Sequence, residues 1–175
     1  ATHSPWDGHP ECCVEKYRDC TFDDIPDEKY PFGVQALEST TVDREDPREA
    51  MAQYYAAVSQ LDDSVRSLLE ALFSLNLLDD TLVVYTSDHG LNCGHHGIWG
   101  KGNGTFPLNM VEESIRIPLI FNLPKSLPRG INRKEFVDHL DLFQTLLEYA
   151  GVPVPEDLTQ PYPGRSAWPL LENPD

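Results

Sequence analysis

The sequence predicts an α/β domain. Three observations carry that reading: a long run with an apolar residue every three or four positions, two short β-branched runs, and a second helical run. Their order is helix, strand, loop, strand, helix, which is an α/β order.

The first 46 of the 175 residues read as an irregular acidic segment, punctuated by Pro5, Pro10, Pro26 and Pro31. A stretch of this length without periodicity is usually functional or inserted. The pattern then changes. Asp46 suits a helix N-cap, Pro47 the first helical position, and Glu49 the acid of a capping box. Met51, Tyr54, Val58, Leu61, Val65, Leu68, Leu72 and Leu75 follow at spacings of three or four, so one long amphipathic helix is expected, ending near Asn76. "TLVVYTS" (81–87) reads as a strand apolar on both faces, as in the interior of a parallel sheet. "IRIPLIFN" (115–122) reads as a second strand, with Pro118 at a bulge or an edge. "KEFVDHLDLFQTLLEYAG" (134–151) reads as the second helix, closed by Gly151. Residues 152–175 read as a Pro-rich, mostly extended tail, so the domain divides into 1–46, 47–151 and 152–175.

Composition excludes some partners. Apolar residues make up 40% of the chain, enough for a core, and no apolar run is long enough to span a membrane. The formal charge is −16, against nucleic acid or anionic lipid, both of which require basic patches. Half of that excess is local, since residues 7–46 hold twelve acids and four bases, a net of −8. The opening "ATHSPWDG" has no initiator Met and none of the features of a signal peptide, so localisation is unread. Four cysteines, at 12, 13, 20 and 93, leave the compartment open. A Cys12–Cys20 or Cys13–Cys20 disulfide is one reading. A zinc site from His9, Cys12 and Cys20 is another, with a spacing that matches no standard pattern.

The chemistry concentrates in "YTSDHGLNCGHHGIWGKG" (85–102), which holds three of the six histidines and five glycines. It starts where the first strand ends, the place where open α/β sheets bind ligands. Asp88 and His89 offer a carboxylate and an imidazole side by side, two ligands for one divalent cation. The competing reading is an Asp that caps a turn beside a surface His. Lys101, between two glycines, has nothing to pack against, and its ammonium suits an oxyanion. Taken alone it is equally a solvated loop lysine. His95 and His96 read either as further ligands or acids or as residues without a role. Asp62 and Asp63 read as a solvent-facing pair on the long helix, and His139 as a structural histidine.

Six segments, "YYAAVSQLDDSVRSLLEAL", "DDTLVVYTSDHG", "GHHGIWGKG", "EESIRIPLIFNLP", "DHLDLFQTLLEYAGV" and "GRSAWPLL", stand in the order of the sulfatase family, within the alkaline phosphatase superfamily. Across residues 47–171 the chain resembles the C-terminal half of that family's catalytic domain. The resemblance implies a three-layer sandwich around a mixed, mostly parallel sheet, present here as an incomplete fragment. It implies one divalent metal ion, commonly calcium, held by Asp88 and His89 together with acids outside this chain. Lys101 is expected on the sulfate oxygen. His3, in "ATHSPW", is expected to contact the sulfate or protonate the leaving oxygen.

The family's nucleophile is a formylglycine made from Cys or Ser in a Cys/Ser-x-Pro/Ala-x-Arg segment, and no such segment occurs here. The expectation is therefore a fragment of a sulfate ester hydrolase whose nucleophile lies before residue 1, inactive alone. Its partners would be the sulfate ester substrate and either the missing N-terminal half of the domain or further copies of the fragment. A phosphodiesterase or phosphonate monoester hydrolase of the same superfamily is the alternative, with His96 joining the metal site. A non-catalytic binding module is the alternative from another class.

Overall fold

The structure, a computed structural model, describes Trp6, residues 8–23, Ile25, residues 34–35, 46–155 and 163–173. These fall into two units, Ala1–Ser74 with His89–Pro118, and Leu75–Asp88 with Leu119–Asp175.

The first unit is built on two helices, α1 (Glu11–Arg18) and α2 (Pro47–Ser74, 28 residues). The N-terminus of α2 forms as its sequence requires: the backbone N–H of Glu49 donates to Asp46 Oδ1 at 3.1 Å. The Glu49 side chain does not close the capping box. Its carboxylate takes Arg18 at 3.2 Å and Gln53 at 2.8 Å instead.

Helix α1 corrects the reading of residues 1–46 as irregular. Its acidic residues mask a helical stripe of Cys13, Val14 and Tyr17, which faces the alanine-rich first half of α2. Val14, Ala52 and Ala56 have no exposed surface and share one core with Trp6, Phe22, Met51, Cys93 and Trp99. Small side chains on α2 let the two helices approach closely, and Arg48 then ties down the chain after α1 through the carbonyls of Cys20 (2.6 Å) and Thr21 (3.2 Å). All four cysteines are thiols, and Cys93 is the buried one. Burial along α2 stops short of the expected stripe: Leu61 and Leu68 are 36% and 54% exposed. Asp62 and Asp63, as expected, are solvent-facing, and both pair with Arg66.

The remainder of this unit is short strand pairs. β1 (Val34–Gln35) pairs antiparallel with β5 (Thr105–Phe106), and β3 (Asn92–Cys93) with β4 (Trp99–Gly100). A single helical turn, α3 (Glu112–Ile115), follows.

In the second unit β2 (Val83–Thr86) pairs with β6 (Leu119–Asn122), in register from Val83↔Asn122 to Thr86↔Leu119. The pair is antiparallel, where the apolar run had suggested a parallel neighbour. Continuous apolarity reports burial and not strand direction, and a mixed sheet accommodates such a pair. Pro118 stands just before β6, so its missing N–H costs this ladder nothing.

Helix α4 (His139–Ala150) starts five residues later than the periodicity suggested. Asp138 caps it: its carboxylate accepts the Leu140 N–H at 2.8 Å, while Asp141 accepts the Asp138 N–H at 3.0 Å, a reciprocal capping box. Gly151 ends it at φ 66°, with Val152 N–H reaching back to the Leu147 carbonyl, as in a Schellman motif. The tail contains a further helix, α5 (Trp168–Glu172), which packs Trp168 with Leu123 and Leu127. Fully buried Thr145 joins the two helices by accepting the Ala167 N–H at 2.8 Å while donating to the Asp141 carbonyl at 2.7 Å.

Two expectations follow for this unit. Asp138→Ala removes the N-cap acceptor of α4 and should cost about 1 kcal/mol in a denaturant titration. Asp141 accepts the Arg165 N–H (2.7 Å) and the Asp138 N–H, and these two bonds hold its carboxyl below the ordinary range. A depressed carboxyl contributes stability above its unfolded value of about 4, and that contribution is lost as pH falls through the folded value. Asp141→Asn should therefore lower stability at pH 7 and flatten its decline below about pH 4.

Candidate functional site

His89 follows the end of β2 by three residues, and the boundary between the two units falls between Asp88 and His89. In the second unit, Asp88 is exposed, and the turn before it is held from α4, where His139 Nε2 donates to the Ser87 carbonyl at 2.7 Å. His139 is thus a structural histidine, as expected.

In the first unit the arrangement around His89 is more constrained. Its Nδ1 lies 2.8 Å from the Gly90 carbonyl, which can only accept, so Nδ1 carries the proton. Its Nε2 lies 3.0 Å from Lys101 Nζ, an ammonium that can only donate, so Nε2 presents its lone pair. Two residues singled out from sequence, twelve positions apart, thus meet. Gly90 is needed here for room rather than for an unusual turn. A Cβ at Gly90 would lie 2.2 Å from the Glu113 carbonyl oxygen, and the Gly90 N–H donates to the Ser114 carbonyl at 2.9 Å.

The loop carrying Lys101 is fixed from behind by three buried or half-buried polar residues. Asn92 Nδ2 donates to the Gly100 carbonyl (3.3 Å) and to Ser114 Oγ (2.6 Å). Ser114 Oγ donates onward to Asn109 Oδ1 at 2.5 Å. Asn109 Nδ2 faces the Lys101 carbonyl (3.3 Å), the Gly102 carbonyl (3.4 Å) and Thr105 Oγ1 (3.0 Å), while its backbone N–H also donates to Gly102 at 3.0 Å. Sequence reasoning named none of these three. Asn and Ser in a Gly-rich loop read as turn formers, and no spacing rule separates a turn former from a buried brace.

His96 has an engagement of its own. Its backbone sits at φ 56°, a left-handed value uncommon outside glycine, and its Nε2 pairs with Glu113 Oε2 at 2.9 Å. The Glu113 carboxyl is held below its usual range, first by its own backbone N–H and further by the His96 ring. His95 is half-buried, and its Nδ1 finds no hydrogen-bond partner among the described residues. His3 lies outside the described residues. Among the described residues no three His, Cys, Asp or Glu side chains converge as a metal cage.

Known proteins share this segment. The sulfatase family model matches residues 1–152. N-acetylglucosamine-6-O-sulfatase of Bacteroides thetaiotaomicron is 36% identical over 126 residues, covering 72% of this chain and 21% of that protein. Human steryl-sulfatase is 35% identical over 130 residues, covering 68% of this chain and 21% of that protein. A solved structure in complex with its substrate, D-glucosamine-2-N,6-O-disulfate, superposes with a TM-score of 0.64 at 33% identity, over 79% of this chain and 26% of that one. The chain thus spans about a fifth of the length of these curated relatives. The solved neighbours are sulfatases of the alkaline-phosphatase-like α/β fold, and the two units are a part of that fold. Helices α1 to α4, the strand pairs and the Asp88–Lys101 loop fall inside one matched span of 152 residues, and on that ground the chain belongs to the sulfatase family.

Proposed function

We propose that this chain is the C-terminal portion of the catalytic domain of a metal-dependent sulfatase, which hydrolyses a sulfate ester with a formylglycine nucleophile carried elsewhere in the protein. The observation that carries the reading is the 3.0 Å contact of Lys101 Nζ with His89 Nε2, two side chains independently suited to an anion and a cation. The relatives are named for sulfates of a sugar, of choline and of a sterol, at 35–36% identity over this segment. What they have in common is the sulfate, so the segment is read as serving the sulfate end of the substrate and not the alcohol.

The donor set fits a divalent cation. A carboxylate at Asp88 and an imidazole whose Nδ1 proton is committed to a carbonyl, with the lone pair on Nε2, are the forms in which these side chains ligate metals. Calcium is the ion the family resemblance favours, and when bound a divalent cation neutralises charge developing on the transferring group. One lone pair cannot serve an ammonium and a cation together. With His89 held as a ligand, the Lys101 ammonium would be available to a sulfate oxygen. There it stabilises negative charge on the equatorial oxygens as the ester bond lengthens. His3 is assigned the proton given to the leaving alcohol oxygen. His96, paired with Glu113, is assigned a structural part in the loop. The overall charge of −16 opposes an anionic substrate, so the local positive charge of Lys101 and the cation must outweigh it at short range.

Two measurements on the full-length protein test this. Lys101→Ala should reduce turnover of an aryl sulfate on the order of 10²-fold or more, with an unchanged melting temperature. Wild-type turnover in that variant would remove Lys101 from the site, and hydrolysis of an aryl phosphodiester in preference to the sulfate would move the protein to the phosphodiesterases. Calcium titrated calorimetrically should give a saturable heat that Asp88→Ala and His89→Ala each abolish. No heat at millimolar calcium, manganese or magnesium would favour a non-catalytic module.

A further inference from the structure

Asn92, Asn109 and Ser114 take no part in the chemistry proposed above, yet they are placed as if the chemistry depended on them. We propose that Ser114, acting with Asn92 and Asn109, is the positioning residue that fixes His89 and Lys101 relative to each other. For its effect on turnover the inference rests on the sulfatase reading; for its effect on the loop it does not.

The argument is geometric. Lys101 lies in a run of three residues, 100–102, whose carbonyls are all bound by the side chains of this group. Asn92 takes Gly100, and Asn109 takes Lys101 and Gly102. Gly104 N–H adds a second bond to the Lys101 carbonyl at 2.8 Å. Both carboxamides are joined through one hydroxyl, Ser114 Oγ, at 2.6 and 2.5 Å. The same residue reaches the other arm of the site through its backbone, since the Ser114 carbonyl accepts the N–H of Gly90, next to His89. Ser114 is therefore the point where the His89 arm and the Lys101 arm are tied together. It has little freedom to do otherwise, being 4% exposed, with Asn92 fully buried behind it.

Charge and burial favour positioning over general support. A buried amide that donates to a particular carbonyl selects one backbone conformation, because any other leaves a polar group without a partner. An apolar brace would fill the same volume without selecting a rotation of the peptide planes on either side of Lys101. Those planes aim the Lys101 side chain.

The test compares two buried hydroxyls in the full-length protein. Ser114→Ala removes Oγ and keeps the backbone bond to Gly90. Thr145→Val removes a hydroxyl equally buried, in the other unit, bonded to the Ala167 N–H and the Asp141 carbonyl. Both variants should lower the melting temperature. Ser114→Ala alone should cut turnover at saturating sulfate ester on the order of 10²-fold, with KM changing much less, because misplacing a catalytic group acts on the reacting geometry. Ser114→Thr, which retains the oxygen, should recover most of it. Amide hydrogen exchange at residues 101–104 should accelerate by roughly 10-fold or more in Ser114→Ala and stay at the wild-type rate in Thr145→Val. Turnover within about 2-fold of wild type in Ser114→Ala would overturn the positioning role, as would unchanged exchange at 101–104. If the wild-type protein hydrolyses no sulfate ester, the functional reading fails while the exchange comparison still decides this one. Should Ser114→Ala not fold, Asn109→Asp keeps the acceptor for Ser114, removes the donors to the Lys101 and Gly102 carbonyls and to Thr105 Oγ1 and sets a carboxylate oxygen against them, and the same two outcomes apply.

Discussion

Burying a polar group without a hydrogen bond costs on the order of 1–3 kcal/mol, and that cost bears directly on the loop behind Lys101. Asn92 has no exposed surface, and its Nδ2 is the common donor to a strand-end carbonyl and to the Ser114 hydroxyl. Once that amide is placed, the loop behind Lys101 has one satisfactory conformation. Asn92 Oδ1 is buried without a hydrogen-bond partner among the described residues, so a conformation that also gave up the two Nδ2 bonds would leave the whole carboxamide unsatisfied. A loop rich in glycine is therefore rigid here for a reason that glycine itself does not supply.

The polarity of the hydrogen bonds carries the chemistry one step further. A carbonyl at one side of His89 and an ammonium at the other leave a single arrangement of its proton, with the lone pair on Nε2. The structure thus combines a fixed imidazole tautomer with an ammonium carried on a braced backbone. Preorganised groups of this kind need little reorganisation when charge develops, which is why they are effective in transfer chemistry.

Much of this was legible from residues, and the failures have physical causes. Periodicity found α2 and its cap because Asp46, Pro47 and the apolar spacing all agree. It placed both strands, since β2 and β6 fall within 81–87 and 115–122. It missed α1, where four charged residues in eight outweighed the three-residue stripe that Val14 centres. It started α4 too early, because Phe136 and Val137 continue the apolar pattern past Asp138, whose carboxylate ends it. Of the site, side chains that carry charge announced themselves, and His89 and Lys101 do meet. Asp88 belongs to the other unit, and His3 lies outside the described residues. The neutral side chains that hold the pair carried no signal, because an Asn or Ser becomes a brace only when the fold buries it.

Gly90 has a consequence for how this site can vary. The backbone of residues 113–114 occupies the place where any side chain at position 90 would begin, at 2.2 Å from a carbonyl oxygen. A methyl group there would wedge open the seam that carries the Gly90–Ser114 bond, and the displacement would travel along both strands of that seam at once. A single added carbon, uncharged and remote from any proton transfer, would thus act as a geometric fault at the centre of the loop's foundation. The limit on variation at position 90 is therefore one of volume, set by backbone that has no flexible end to move aside.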